Sequence, residues 1–371
     1  MSQPLGVYVH WPYCARICPY CDFNVFKAAG RDQEAERLAG AIVADLEAQR
    51  ALTGPRDLVS VFLGGGTPSL MDPAWAAAIV DAARRLWTPA ADLEVTLEAN
   101  PTDAEAGRFA AFAEAGVNRL SLGLQSLDDA ALVFLGRNHD AAEGLRAAET
   151  AAKVFPRLSL DLIYARPGET PAVWAEELSR AIDLGAEHIS PYQLTLEAGT
   201  AFQKAVRRGA WSPPDEETGA ALFETTQDVL TAAGFEAYEV SNHARGPAAR
   251  SRHNLVYWKG WDYVGVGPGA HGRLTLDGRR HATFAASRPG DYIEWPAVTP
   301  EPLSAEEAAE ERLLSGLRIA EGVPFAELTA LTLKRVDEFI AQGLLADDPE
   351  RLRATPAGRL VLDHLTTQLI V

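Results

Sequence analysis

The sequence contains few cysteines: three in 371 residues, all within eight positions near the N-terminus. An odd number of thiols packed so closely is a poor basis for a disulfide framework, so metal binding is the better interpretation. Basic residues are also in deficit, with 34 Lys and Arg against 51 Asp and Glu and a formal net charge of -17. Because no overall basic surface attracts phosphate backbones, we expect no nucleic-acid partner.

Long apolar runs are lacking as well. Aromatic and polar residues interrupt every hydrophobic run in residues 1–25, which carry no basic leader, and no later run approaches membrane-spanning length. We therefore expect a cytoplasmic protein. The length predicts two domains: residues 1–300, a barrel domain with a C-terminal extension, and residues 301–371, a small helical module.

From residue 5 to about residue 195, short apolar runs alternate with segments of helical periodicity. This alternation predicts repeated βα units and a parallel sheet. Helix starts between the strands are indicated by Asp72 before Pro73, Thr102, and Thr170 before Pro171. The six predicted strands are residues 5–10, 58–63, 93–98, 117–124, 158–164 and 188–194.

Three of these strands have one aliphatic and one polar face, with Glu98, Gln125 and Asp161 on the polar side. If the aliphatic face packs on the helices, the polar face points into a barrel lumen, where buried polar groups need partners such as a ligand. A closed (β/α)8 barrel fills its lumen with side chains. We therefore predict an α/β fold, an open partial (β/α)6 TIM-like barrel.

After about residue 200 the pattern loosens into a region rich in Gly, Pro and aromatic residues. The C-terminal module then shows two helices, a short hairpin around residues 347–350 and a final helix capped by Thr355 before Pro356. This order predicts a winged-helix-like module.

Cys14, Cys18 and Cys21 form a C-x3-C-x2-C motif directly after the first predicted strand, where barrel active sites lie. A [4Fe-4S] cluster normally takes four thiolates, so three leave one iron able to chelate a small molecule. The alternative is a zinc site, which needs a fourth ligand, and His10 is close in sequence. The spacing favours the cluster.

The cysteine loop resembles that of radical SAM enzymes, in which the amino acid end of S-adenosylmethionine (SAM) chelates the unique iron. The resemblance implies reductive cleavage of the sulfonium to a 5'-deoxyadenosyl radical, while the protein orients the cofactor and excludes water. A triple glycine after the second strand resembles the motif that holds the methionyl amine, and it lets backbone groups approach a ligand. That motif consists of Gly64, Gly65, Gly66 and Thr67.

The same resemblance assigns further SAM contacts. A zwitterionic methionine needs both a cation and an anion nearby, and adenosine hydroxyls need acceptors. Tyr20 is expected to pack beside the cluster. The remaining positions that match SAM contacts are Tyr8, Glu98, Gln125, Arg137 and Asp161.

The resemblance extends over nearly the whole chain, to the oxygen-independent coproporphyrinogen III oxidase superfamily with its C-terminal helical module. True oxidases carry a further cysteine where this chain has Phe23, and they usually have a longer N-terminal arm. Residues 252–258 instead match the H-N-x-x-Y-W signature of HemW-type heme chaperones, which favours that subgroup. The other matching segments are residues 135–139, 161–164, 192–194 and 265–271.

A heme-carrying role would need an iron ligand and aromatic contacts. His253 is the first candidate ligand, and Tyr257, Trp258 and Trp261 could stack on a porphyrin face. His271 and His243 are weaker alternatives for the iron. The same residues are equally consistent with a loop histidine that has no role in heme binding and with aromatic side chains that belong to the hydrophobic core.

The resemblance implies heme as cargo, a heme-acceptor protein and an electron donor protein as partners, and contact with respiratory enzymes at the inner membrane. Two other functions remain open. One is the oxidase of porphyrin biosynthesis, an oxidoreductase that decarboxylates coproporphyrinogen III to protoporphyrinogen IX. The other is a radical SAM methyltransferase or cyclase.

Overall fold

The apolar runs along the chain form strands, consistent with the preference of branched and aromatic residues for a pleated surface. We describe residues 4–370 of a computed structural model of the chain. The strands are, in chain order, β1 (Pro4–Trp11), β2 (Tyr13–Cys14), β3 (Phe26–Lys27), β4 (Asp57–Gly65), β5 (Thr88–Ala99), β6 (Arg119–Gln125), β7 (Arg157–Tyr164), β8 (His188–Gln193), β9 (Glu236–Glu239), β10 (Asn242–Ala244), β11 (Asp262–Val266), β12 (His271–Leu276), β13 (Arg279–Phe284), β14 (Glu301–Pro302), β15 (Val323–Pro324) and β16 (Arg351–Leu352).

The predicted helix starts are confirmed by their caps. The side chains of Asp72, Thr170 and Thr355 each accept a backbone N–H from the first turn, as does Thr102. The helices are α1 (Asp32–Thr53), α2 (Pro73–Leu86), α3 (Asp103–Ala106), α4 (Phe109–Glu114), α5 (Asp129–Phe134), α6 (Ala141–Val154), α7 (Pro171–Ile182), α8 (Ala201–Arg207), α9 (Glu216–Ala232), α10 (Arg252–Trp258), α11 (Pro289–Glu294), α12 (Ala305–Gly316), α13 (Val336–Ala341), α14 (Pro356–Leu360) and α15 (Leu362–Ile370), with short 3-10 turns at Pro68–Leu70, Pro247–Ala249 and Phe325–Glu327.

The strands of the main sheet run in the order β14-β13-β12-β11-β1-β4-β5-β6-β7-β8-β10-β9. The six predicted strands are β1 and β4 to β8, and each pairs in parallel with its neighbour. Two edges remain in this sheet, so the barrel is open, as predicted. β11 adds a seventh parallel strand beside β1, which the sequence did not indicate.

The two faces of the strands separate as the alternation predicts. Leu97, Leu122 and Leu160 are fully buried in the layer between sheet and helices. Glu98 pairs in register with Ser121 on the opposite face, and Asp161 pairs with Ser190. These polar residues line the lumen.

The region after residue 200 is more regular than the sequence suggests. β9 and β10 extend the sheet beyond β8, and β11 to β14 extend it beyond β1. These strands are only two to six residues long, too short for an alternating pattern to stand out. The short strands after residue 200 therefore extend the barrel sheet at both of its edges.

The C-terminal module has a hydrophobic core of its own, which includes Leu313, Phe339 and Leu365. The predicted hairpin is present: Leu345 and Ala354 form an antiparallel bridge across its turn. β16 then pairs with β15, which adds a second small ladder. The domain boundary near residue 300 stays a prediction, and the chain ends at residues 1–3 and 371 lie outside the described residues.

Candidate cluster and cofactor site

A cavity of about 1070 Å³ opens at the carboxyl ends of the parallel strands. Nearly all the predicted site residues meet there, although their sequence positions span 250 residues. Gly64 is the exception: a Cβ atom at this position would lie 2.6 Å from the Phe62 ring, behind the cavity wall. The predicted residues that line the cavity are Tyr8, Cys14, Cys18, Tyr20, Cys21, Gly65, Gly66, Thr67, Glu98, Gln125, Arg137, Asp161, His253 and Tyr257.

The cysteine loop is closed at its base by a two-stranded ladder. β2 and β3 pair in parallel, so that Cys14 lies beside Lys27. The backbone N–H of Cys21 donates to the carbonyl of Cys18 over 3.2 Å, which forms a turn between the second and third thiols. Cys14 is buried, whereas Cys18 and Cys21 are partly exposed to the cavity.

A cation lies against the cysteine loop. Arg137 directs Nη1 to the Cys18 sulfur at 3.4 Å and to the Tyr20 hydroxyl at 3.5 Å. Its Nη2 donates to the carbonyl of Gly123 at 3.1 Å and to the side chain of Asn100. This guanidinium places a positive charge beside the sulfur, where it would offset the negative charge of an iron-bound thiolate.

Burial raises the pKa of the Cys14 thiol, although a hydrogen bond with Thr67 opposes the shift. Burial likewise raises the pKa of Cys21 to about 11, and the charges of Cys14 and Cys18 add to the effect. The three sulfurs therefore act on one another. Bound iron would offset the cost of ionising these thiols, because it replaces their protons.

The zinc alternative finds no fourth ligand. Both ring nitrogens of His10 are engaged, Nδ1 with the Tyr8 hydroxyl and Nε2 with the carbonyl of Asn24, each at 2.9 Å. Within residues 4–370, no three His, Cys, Asp or Glu side chains are grouped closely enough for a single metal ion. Cys14, Cys18 and Cys21 line one cavity, and in a cluster each thiolate would bind a different iron, so the three sulfurs need not converge on one ion.

The glycine motif packs directly on the first strand. Gly66 N–H donates to the carbonyl of Trp11 at 2.7 Å, and Thr67 N–H donates to the carbonyl of Tyr13 at 2.9 Å. Gly65 has a φ of 106°, and a Cβ there would lie 2.5 Å from the His10 ring. Only glycine fits this position, and it leaves the backbone open toward the cavity.

Two half-buried carboxylates face the cavity without an ion-pair partner among the described residues. Glu98 accepts the N–H of Gly65 at 3.0 Å, and Asp161 accepts the Ser121 hydroxyl at 2.8 Å. Burial raises the pKa of Glu98 to about 8, and the neighbouring Asp161 contributes to the shift. Arg119 lies 4.0 Å from Glu94, and its positive charge opposes the rise in the pKa of both Glu98 and Asp161. The pair is therefore suited to a cationic ligand.

Among the described residues, four cavity-lining side chains have a buried polar atom without a partner: Arg119, Arg137 and Arg359 at Nε, and Gln125 at Oε1, which is the acceptor among them. Gln125 has a φ of 64°, a left-handed conformation that non-glycine residues rarely adopt and that often marks a functional position. An unpaired acceptor suits a ligand hydroxyl. Together, the thiols, the paired carboxylates and this acceptor fit a [4Fe-4S] cluster with SAM.

The comparisons with known proteins agree with this geometry. The model of the radical SAM superfamily matches residues 8–181, and that of the HemN C-terminal domain matches residues 303–361. The heme chaperone HemW of Escherichia coli (strain K12) is 36% identical over 381 residues, covering 98% of this chain and 97% of that protein. The chain belongs to the radical SAM superfamily, in the family of the HemW proteins.

Other relatives of this radical SAM protein have similar coverage. The mitochondrial radical S-adenosyl methionine domain-containing protein 1 of Bos taurus is 41% identical over 391 residues, covering 100% of this chain and 88% of that protein. Among solved structures, the coproporphyrinogen III oxidase HemN from Escherichia coli superposes with a TM-score of 0.78 at 20% identity, covering 99% of this chain and 90% of that chain. That likeness confirms the fold alone.

The predicted heme residues of this radical SAM protein lie deeper than a cargo site would suggest. His253 is 1% exposed, and its ring stacks on Phe62 at 4.8 Å. Nδ1 bonds to the Ser60 hydroxyl at 2.9 Å and Nε2 to the Tyr257 hydroxyl at 2.7 Å, which leaves neither nitrogen free for iron. Burial lowers the pKa of His253 to about 3.

The other candidate heme residues do not face the cavity. His243 is fully buried and bonds to Gln227 at 3.2 Å, whereas His271 is exposed and lies edge-on to Phe284. Trp258 lies beneath the guanidinium of Arg318, and Trp261 lies under Lys259. The choice of heme ligand thus gains no support from the H-N-x-x-Y-W segment.

Sequence reasoning gave no site role to several residues of the cavity wall, among them Asn100, Tyr192 and His364. Asn100 links Arg137 to Thr67, and its position just after β5 could have indicated it. Tyr192 lies near the end of β8, so its position could have indicated it in the same way. His364 had no such signal, because nothing in the sequence shows that the C-terminal module meets the barrel cavity.

Across residues 4–370, none of the helices combines the length and apolar character needed to cross a membrane. The expected cytoplasmic location stays a prediction. The names of the bovine and mouse relatives place those proteins in mitochondria.

Proposed function

We propose that this protein is a heme chaperone that binds a [4Fe-4S] cluster and SAM, and that transfers heme to an acceptor protein. The observation that carries the proposal is the single cavity in which Cys14, Cys18 and Cys21 meet the carboxylates of Glu98 and Asp161. Two proteins named heme chaperone HemW, from Escherichia coli and Mycobacterium tuberculosis, align with at least 98% of the chain.

Different residues of the cavity would bind different parts of the two cofactors. The three thiolates would hold the cluster, and Glu98 with the Gly65 backbone would position the methionyl amine. Gln125 would accept a hydroxyl of the adenosine. When bound, the cluster and SAM supply reductive cleavage of the sulfonium, a chemistry that the electron donor protein would start. Arg137 would neutralise charge beside the thiolates.

Heme chaperone and oxidase differ in what they do to a tetrapyrrole. Phe23, which is 61% exposed beside the cysteine loop, stands where the oxidases carry a further cysteine. That difference, with the full-length similarity to HemW proteins, favours carriage of heme over decarboxylation of coproporphyrinogen. A methyltransferase or cyclase role has no comparable support.

The test is anaerobic reconstitution with iron and sulfide, followed by three assays on the same sample. We expect heme binding, transfer of heme to an apo-protein, and no conversion of coproporphyrinogen in the presence of SAM and reductant. Robust conversion would reverse the choice in favour of the oxidase. Formation of S-adenosylhomocysteine would indicate a methyltransferase.

A further inference from the structure

The cavity continues beyond the barrel to the C-terminal module. Its far wall is the junction between α14 and α15, where the consecutive residues 359–364 all line the same space as the cysteines. Leu360 and Val361 are 44% and 40% exposed there, whereas most leucines of the module pack in or against its core. An uncovered aliphatic pair inside a cavity is a surface for an apolar ligand.

The size of the cavity leaves room for a second ligand. Small-molecule sites commonly measure about 300–1,000 Å³. This cavity measures about 1070 Å³, and the candidate SAM residues occupy its barrel end. The module end of the cavity is therefore available to a second ligand.

His364 is the histidine that offers iron a free nitrogen at this end. Two histidines line the cavity, His253 and His364. His253 uses both ring nitrogens. His364 is exposed in the first turn of α15 and makes no hydrogen bond or ring contact within the described residues. A neutral imidazole with an open lone pair is the most common protein ligand of heme iron.

A cation that forms no ion pair with the described residues lies in the same segment. Arg359 donates Nη1 to the carbonyl of Ala237 at 3.1 Å, while its Nε is buried without a partner. The described residues give it no ion pair, although the charges of Glu239 and Glu321 act on it, and the nearby cavity residue Arg318 is paired with Glu239 at 2.7 Å. The segment's acid, Asp363, is exposed, so water screens its charge more than that of the half-buried guanidinium.

We propose that this end of the cavity binds an iron porphyrin, with His364 as an axial ligand of the iron. Leu360 and Val361 contact the porphyrin face, and Arg359 pairs with a propionate carboxylate. The inference rests on the proposed heme-carrying function and names the site of the cargo. It differs from the sequence-based expectation, which placed the iron on His253.

The test is a heme titration of the full-length, reconstituted protein, followed by absorption and electron paramagnetic resonance spectra. We expect His364→Ala to lose the spectrum of histidine-bound heme and to bind heme at least about tenfold more weakly. Added imidazole should restore the spectrum, because it replaces the missing ring. His271→Ala, which removes an exposed histidine outside the cavity, should behave as the unmodified protein.

A second arm tests the cation with heme whose propionates are esterified. The unmodified protein should bind the ester about tenfold more weakly than heme, and Arg359→Gln should bind the two equally. An unchanged spectrum in His364→Ala, or equal affinity of the unmodified protein for heme and ester, overturns the assignment. Failure of the unmodified protein to bind any heme overturns the proposed function itself.

Discussion

The two ends of the cavity are built in different ways. At the barrel end, backbone hydrogen bonds fix the cysteine loop and the glycine motif. At the module end, the lining comes from a junction between two short helices, where two aliphatic side chains and a histidine are exposed and an arginine forms no ion pair with the described residues. The barrel end is preorganised for cofactors, while the module end is left open for a ligand that comes and goes.

The largest effect should follow from breaking the barrel end. Cys18→Ala removes one of three thiolates, so the cluster loses an iron ligand and should not assemble. We expect the brown colour and the bound iron of the reconstituted protein to disappear in an iron and sulfide assay. Phe23→Leu, a change at an exposed neighbour in the same loop, is the matched control and should retain both. Unchanged iron content in Cys18→Ala would remove the ligand assignment.

The next largest effect should be a loss of stability that is confined to the C-terminal module. Leu365 is fully buried in the module core, and Leu365→Ala should lower the module's free energy of unfolding by about 2–5 kcal/mol. Hydrogen exchange of the amides between residues 313 and 369 measures this loss. Leu314→Ala, at a side chain 49% exposed, should change it by less than about 0.5 kcal/mol.

The same variant sharpens the comparison between the ends. Leu365→Ala should weaken heme binding while the protein still assembles its cluster and binds SAM. Equal loss of heme and SAM binding would show that the two ends depend on one folding unit, contrary to the distinct cores.

The smallest effect concerns one charge at the barrel end. Glu98→Gln keeps the shape but removes the charge that would attract the methionyl amine, so SAM should bind about tenfold more weakly in calorimetry. Glu197→Gln, at an exposed carboxylate of the same cavity, is the control and should have little effect.

The pH dependence of SAM binding has a defined maximum. Because the pKa of Glu98 is raised to about 8, the free protein holds this carboxyl mostly neutral at pH 7 and ionised at pH 9. The α-amino group of SAM, with an ordinary pKa of about 8, loses its charge over the same range, so the contribution of Glu98 to SAM affinity should be largest near pH 8. Glu98→Gln should lack that contribution. Identical pH profiles in the two proteins would show that Glu98 does not meet the cation.

The barrel and the cluster end were largely predictable from the sequence. Strong local patterns specify the six strands, and the spacing of Cys14, Cys18 and Cys21 is itself the signal of their function. Glu98, Gln125 and Asp161 could be placed together because the carboxyl ends of parallel strands meet at one mouth. Each of these inferences needs only short stretches of chain.

Three features were not predictable, because they depend on contacts distant in sequence: the pairing of β11, the burial of His253 and the module end of the cavity. β11 pairs with β1 across about 250 residues, and its five residues carry no distinctive pattern. The burial of His253 results from Phe62 and Ser60 on β4, which no local motif reveals. The meeting of residues 359–364 with the barrel cavity likewise appears only in three dimensions.

The most direct test of the central claim is electron paramagnetic resonance of the anaerobically reconstituted and reduced protein, recorded with and without SAM. We predict the signal of a reduced [4Fe-4S] cluster that changes on addition of SAM, because three cysteine ligands leave one iron open to it. A cluster signal that SAM leaves unchanged, or iron bound without any four-iron cluster, would contradict the account.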